Sequence, residues 1–212
     1  MVIFIPSIEG GGVEKNLYII TNYLSNKLKN DVYVITADKK NTNLFSKKVR
    51  IVTSKFQIPE TNTRLIKYFI SLILLFFFFL KNGKISVLSF QANIYAIILC
   101  KIIGVKIVVR SNSSSKGWSN NIFKNFVFKF ILRKSEKVIV NSHALKSEFI
   151  KKFNLKSVCI YNPFNKNEVN RLSRAKLFLD FYNTPDKPLK IINVARLTDQ
   201  KDQIGRAHVW TP

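Results

Sequence analysis

Short apolar runs alternate with amphipathic stretches along most of the chain. "VIFIP" opens it as an apolar strand. "VEKNLYIITNYLSNKL" then places Val13, Leu17, Ile20, Leu24 and Leu28 on one helical face. "DVYVITA" and "VRIVTS" are strands. "KISVLSF" runs into "NIYAIILCKIIG", a helix closed by Gly104. "VKIVVRS" is followed by the polar loop "NSSSKG" and a helical stretch, "NNIFKNFVFKFILRKSE". "KVIVNS" leads into the helix "HALKSEFIKKF", and "SVCIYNP" is one more strand. Strands separated by helices imply a parallel, doubly wound sheet. The strands are continuous apolar runs, as they must be when both faces of the sheet are covered. The fold class expected is α/β, Rossmann-like.

The pattern changes at residue 164. "FNKNEVNRLSRAKLFLDFYNTPDKPLK" has no strand rhythm until its end and is punctuated by Pro185 and Pro188. Residues 1–165 therefore read as one domain and 166–188 as a connection. "KIINVARL" begins a new strand, so residues 189–203 read as the start of a second domain. The closing "IGRAHVWTP", residues 204–212, fits nothing before it and resembles the translated read-through of a common sequencing adapter. His208 and Trp210 are given no functional weight. The expectation is a chain cut just inside a second domain.

Composition narrows the class. The chain has 212 residues, 47% of them hydrophobic, enough for a large core and too many for a disordered chain. The formal charge of +23 fits nucleic acid, an anionic membrane surface or phosphorylated substrates. An AT-rich coding bias toward Lys, Asn, Ile and Phe accounts for part of it. Cys100 and Cys159 lie in apolar surroundings and read as reduced core thiols. The glycine loop within the first dozen residues leaves no visible signal peptide, and a cytoplasmic location is expected.

In an open parallel sheet, ligands sit beyond the carboxyl ends of the strands. That rule selects Gly10, Gly11 and Gly12 after the first strand. It also selects Gln91 and Asn93 near Ser89, then Arg110, Ser111 and Asn112, then Asn141, Ser142 and His143, and finally Asn162. These groups suit hydroxyls and phosphates. For Ser142 and Asn93 a plain helix-capping role competes equally. Glycines at the head of a helix let a ligand reach the backbone and the positive end of the helix dipole. The order G-G-G-V-E is neither the dinucleotide fingerprint nor a Walker loop, since no ribose-binding acid and no Walker lysine follow. Glu14, in the first helical turn, is favoured there by the dipole alone.

"IPSIEGGGVEKNL", "NSHALKSEF", "IYNPFN" and "NVARLTDQKD" resemble, in that order, successive landmarks of the family 4 glycosyltransferases. The resemblance covers about the first 203 residues. It implies a GT-B fold, two Rossmann-like domains facing across a cleft, of which this chain would carry the N-terminal half. It implies a retaining transfer of sugar from a nucleotide-diphosphate sugar, with no bound metal and no other cofactor. Arg196 and Lys201 match the family's cations that grip the donor diphosphate, and Gly11 and Gly12 match the loop beside those phosphates. A guanidinium fork and a mobile ammonium suit a pyrophosphate leaving group. The plain alternative is two solvated loop cations. Gln91, Asn93, Arg110, Ser111, Asn112, Ser142 and Asn162 would line the cleft or the acceptor side. No catalytic base is nominated. The family's paired glutamates for the donor belong further on and are missing from the sequence, so the 212-residue chain by itself is expected not to transfer sugar.

One stretch stands apart. "YFISLILLFFFFL", residues 68–80, is apolar all round except Ser71. As a helix it rises about 20 Å, short of the roughly 30 Å of a hydrocarbon core, which argues against a span. It lacks the polar outer face of an ordinary surface helix. Phe123, Phe126, Val127 and Phe130 lie among Lys124, Lys129, Arg133 and Lys134 in another helix. Together they suggest peripheral contact with an anionic membrane; core-facing aromatics with solvated lysines are the alternative. Because many family members act on lipid-linked sugars, the expected acceptor is a glycan, lipid-linked, in surface polysaccharide or glycoconjugate synthesis. The rival readings are a basic membrane- or nucleic-acid-binding module and a GT-B sugar-nucleotide epimerase. Most phenylalanines lie in apolar runs, which disfavours nucleic acid. No carboxylate pair suits an epimerase.

Overall fold

The structure, a computed structural model, describes residues 1–39, 42–54, 64–112 and 121–174. Arg196, Lys201, the strand expected at 190–195 and the tail 204–212 lie outside the described residues.

Met1–Asn165 forms one compact unit. It holds seven parallel strands in the order β3-β2-β1-β4-β5-β6-β7. They are β1 (Val2–Phe4), β2 (Val32–Ile35), β3 (Val49–Val52), β4 (Val87–Ser89), β5 (Ile107–Ser111), β6 (Lys137–Val140) and β7 (Val158–Cys159). Between them run α1 (Gly12–Lys27), α2 (Arg64–Asn82), α3 (Asn93–Ile103), α4 (Ile122–Leu132) and α5 (His143–Phe153). The doubly wound parallel sheet is the one the strand–helix alternation predicts, and all seven apolar runs read as strands are strands. The second unit, Lys166–Pro212, is described only over α6 (Lys166–Ser173).

Strand order explains which helix covers which face. From β1 the chain steps outward to β2 and β3, then returns and steps the other way through β4 to β7. Crossovers between parallel strands are right-handed, so the two directions place their connections on opposite faces. The side chains follow. Ile3 and Ile5 point into a core with Leu17 of α1, Val34 and Phe45. Val2 and Phe4 point the other way, toward Leu75 and Phe78 of α2, Ile97 of α3, Leu132 of α4 and Phe149 of α5. Where the α1 side passes over β4 to β6, Leu88, Phe90, Val108 and Ile139 join Ile20 and Tyr23 around an apolar hollow of about 450 Å³.

Local signals end the elements as expected. Gly104 closes α3 at φ +78°, a left-handed backbone that costs glycine nothing. Ser142 caps α5, its Oγ accepting from the Leu145 N–H at 3.2 Å. Cys100 and Cys159 are both free thiols, and burial pushes the Cys100 thiol up to about 12. The α1 stripe is also found, with Leu17 buried and Val13, Ile20 and Leu24 packed around it. Leu28, expected on that stripe, is the C-cap residue and is 39% exposed, because the helix ends before it.

Candidate functional site at the switch point

The sheet reverses its winding between β1 and β4, and the chain leaves both strands at the same edge. A crevice forms there because the two departing connections go to opposite faces. Two polar clusters flank it.

The first lies on the β1 side. Glu14 is buried in the first turn of α1, and its carboxylate turns back over the loop. Oε2 accepts from the Gly11 N–H at 2.8 Å, and Oε1 from the Glu9 N–H at 3.4 Å. A Cβ on Gly11 would sit 3.0 Å from Glu14 Oε2, so a larger residue there would push the carboxylate aside by a few tenths of an ångström. The Gly11 N–H is therefore engaged within the loop. A Cβ on Gly12 would meet nothing within 4 Å. Gly12, at the head of α1, is open, and so is Gly10.

Beside this loop, Asp38 follows β2. Its Oδ2 accepts from the Ile8 N–H at 2.9 Å and lies 3.1 Å from Ser7 Oγ. Lys67 of α2 completes it, with Nζ 3.0 Å from Asp38 Oδ1. Glu9 binds Arg64, the first residue of α2, through two hydrogen bonds of 3.1 and 2.6 Å. The Arg64 guanidinium holds the Glu9 carboxyl below its ordinary range, and the pairing raises Arg64 in turn. These contacts tie the start of α2 to the rim of the crevice. The sequence reading passed over Asp38, Lys67 and Arg64 as members of the site. No local pattern marks them, because Asp38 follows β2 while Arg64 and Lys67 open α2, and the two segments meet only when the sheet forms. Three carboxylates face two cations here, a balance better suited to hydroxyl groups than to a second anion.

The second cluster lies on the β4–β7 side. Asn93 opens α3 but does not cap it. Its Oδ1 accepts from Ser89 Oγ at 2.8 Å and its Nδ2 donates to Arg110 O at 3.0 Å, which joins β4 to β5. The preceding residue, Ala92, holds φ +52°. Left-handed backbone costs a non-glycine residue about 1 kcal/mol or more, and such strain gathers at functional sites. Arg110 is only 2% exposed. Its guanidinium turns into the protein, donating to Asn162 Oδ1 at 2.8 Å, Ile160 O at 3.3 Å and Asn112 Oδ1 at 3.2 Å. Burial lowers its pKa. Arg110 thus fixes the loops after β5 and β7 rather than reaching into the crevice. Ser111 is buried with it, Gln91 is half-buried beside Ser89, and Asn112 Nδ2 reaches back to Phe90 O at 3.4 Å. His143 meets the Tyr161 ring edge-on, centroids 5.9 Å apart. Among the described residues no group of three or more His, Cys, Asp or Glu side chains forms a metal-ligand set.

Known proteins bear on this crevice. The model of the family described as Glycosyltransferase Family 4 matches residues 10–168. No curated protein matches the sequence. Similar solved structures include a glycosyltransferase from Rickettsia africae, at TM-score 0.54 and 15% identity over 87% of this chain and 49% of that one. Anabaena Alr3699/HepE, solved with UDP and glucose, gives TM-score 0.52 and 15% identity over 82% and 49%. UGT2 of Phytolacca americana, solved with UDP-2fluoro-glucose and pterostilbene, gives 0.52 and 11% over 82% and 57%. At these identities the likeness is one of fold, and it is to the GT-B glycosyltransferases. The chain spans about half the length of each of these proteins.

Proposed function

This chain belongs to Glycosyltransferase Family 4, and from that premise we propose that it is the acceptor-side part of an enzyme transferring sugar from a nucleotide-diphosphate sugar to a glycan acceptor. The observation that carries the proposal is the crevice at the switch point, with Gly12 open at the head of α1 and a network of neutral amides and hydroxyls opposite it. Hydroxyl-rich acceptors are recognised by such donors and acceptors held in fixed geometry. The UDP and UDP-sugar analogue in the solved relatives fit the same reading of the donor.

In this proposal Arg196 and Lys201 meet the charge that builds on the departing diphosphate, where fixed cations act most strongly. No metal or other cofactor is assigned. Gly12 lines the crevice beside the donor, while Gly11 serves the loop by accommodating Glu14. Asn93, Asn112 and Asn162 shape the acceptor side, with Arg110 and Ser111 as positioning residues beneath them. Gln91 faces the crevice, and Ser142 holds the head of α5. The transfer is retaining, and the acceptor is lipid-linked, as in surface polysaccharide assembly.

The test is transfer of radiolabelled sugar from a panel of UDP- and GDP-sugars to a membrane lipid extract, using the complete protein that carries this sequence. Arg196→Ala and Lys201→Ala should each lower turnover more than they weaken acceptor binding, because the charge they meet develops in the transition state. Normal transfer with both cations removed overturns the diphosphate assignment. Absence of transfer from every donor overturns the reading.

A further inference from the structure

We propose that the outward surface formed jointly by α2, α3 and α4 docks on an anionic lipid bilayer, with α2 lying in the interface rather than crossing it.

The starting point is that α2 faces the wrong way for a water-exposed helix. Two polar residues in its first half point inward: Lys67 is 8% exposed and Ser71 is 0% exposed, on the side that carries Leu75, Phe78 and Phe79 into the core. The outward side carries Leu65, Phe69, Ile73, Phe76, Phe77 and Leu80, with Phe69 66% and Leu80 68% exposed. An amphipathic surface helix has the reverse arrangement. The surface continues across two neighbours. α2 packs on α3 and α3 on α4, and the Tyr68 and Tyr95 rings meet between the first pair. On α3, Tyr95, Ile98 and Ile102 point outward, and on α4, Phe123, Phe126 and Phe130 do the same. Scattered exposed apolar residues are ordinary, but a contiguous surface over three helices marks an interaction site.

Charge decides the occupant. None of α2, α3 and α4 contains an Asp or Glu. Exposed cations border the apolar surface: Lys81 and Lys84 at and just past the end of α2, Lys101 in the last turn of α3, Arg133 and Lys134 just past α4, and Lys124 in the first turn of α4. Lys134 Nζ stands 4.8 Å over the Phe130 ring. Glu136, just past α4, pairs with Lys101 at 3.4 Å. Apolar side chains bordered by cations match the acyl boundary and headgroups of an anionic bilayer. A second copy of the chain would bring like charge against like charge at this rim.

α2 is long and apolar enough to cross a membrane by length and composition alone. The fold decides otherwise. Its inner side is bonded into the sheet through the Phe78–Tyr33 ring contact and the Lys67–Asp38 pair, so only the outer side is available to lipid. Because Arg64 at the start of α2 pairs with Glu9 on the crevice rim, docking would place the crevice next to the headgroups. The proposal goes beyond the sugar-transfer reading and stands or falls without it.

Co-sedimentation of the 212-residue chain with vesicles tests it. The chain should sediment with vesicles of equal parts phosphatidylcholine and phosphatidylglycerol, more weakly with phosphatidylcholine alone, and less as salt is raised. Lys124→Gln should weaken binding about fivefold. Phe77→Asp combined with Phe126→Asp should weaken it more than tenfold with an unchanged circular dichroism spectrum, since both side chains are exposed. Tyr23→Asp, on the opposite face of the sheet, should bind as the parent does. The emission added by Phe77→Trp should be quenched by lipids brominated in the acyl chain. The proposal is overturned if the parent ignores anionic vesicles, or if the double variant binds unchanged. It is likewise overturned if the chain instead self-associates in solution through this surface and Phe77→Asp disperses it without affecting vesicle binding.

Discussion

α1 and α2 lie on opposite faces of one sheet and solve opposite problems. α1 buries Leu17 and turns Lys15, Asn26 and Lys27 to solvent. α2 buries Lys67 and Ser71 and turns phenylalanines out. Both helices are anchored at the same crevice rim, α1 through Glu14 on the Gly11 N–H and α2 through Lys67 on Asp38. The difference teaches that the amount of hydrophobic residue in a helix says little about how it sits. α1 presents charged and amide side chains outward, so water selects the side that faces it. α2 carries large apolar side chains on both sides, so two ionic contacts at its first turns and the fit of Leu75 and Phe78 on the sheet select its orientation instead.

The largest effect should separate the two sides of α2. Phe78→Ala removes a ring packed in the core and should cost about 3–5 kcal/mol in urea unfolding. Phe77→Ala, one residue back and 60% exposed, should change stability by no more than about 0.5 kcal/mol. Equal losses at both positions would mean that the outer face is covered in the folded protein and would erase the contrast with α1.

Next in size is the anchor. Asp38→Asn leaves the Lys67 ammonium largely buried without its counter-charge and should destabilise by about 3 kcal/mol. Lys67→Met should cost less, because the Asp38 carboxylate keeps the Ile8 N–H and Ser7 hydroxyl. If the two variants are equally harmful by thermal unfolding, the pair does not hold α2 in the way described.

The smallest effect belongs to the exposed partner of that anchor. The folded-state pKa of Glu9 lies below its ordinary 4.5, chiefly through its hydrogen bond to Arg64. A depressed carboxylate stabilises fully above its unfolded pKa and loses that contribution as pH falls through the folded one. The Glu9–Arg64 pair should therefore contribute at neutral pH and fade below about pH 4.5. Both side chains are well exposed, so solvent screening limits the contribution to about 1 kcal/mol or less. Arg64→Gln should flatten this part of the pH–stability curve by lowering neutral-pH stability by about 1 kcal/mol or less, with stability in acid nearly unchanged. A steeper acid loss in the variant would contradict the pairing.

By itself the sequence determined the order of strands and helices, the parallel sheet and the edge where the polar candidate residues gather. Those features are local or periodic. Apolar runs such as "VIFIP" and "KVIVNS" are strands buried on both faces, Gly104 permits a left-handed stop, and Ser142 offers an oxygen to the head of α5. Only the tertiary structure decided which way α2 faces and which side chains complete the crevice. Lys67 meets Asp38 across 29 residues and Arg110 meets Asn162 across 52. No spacing in the chain encodes such distances, because the sheet's return past β1 sets them. The same return left Ser71 and Lys67 inward and the phenylalanines outward. Once Leu75, Phe78 and Phe79 fit the sheet and Lys67 reaches Asp38, a rigid helix has no freedom left to turn its other side away from solvent.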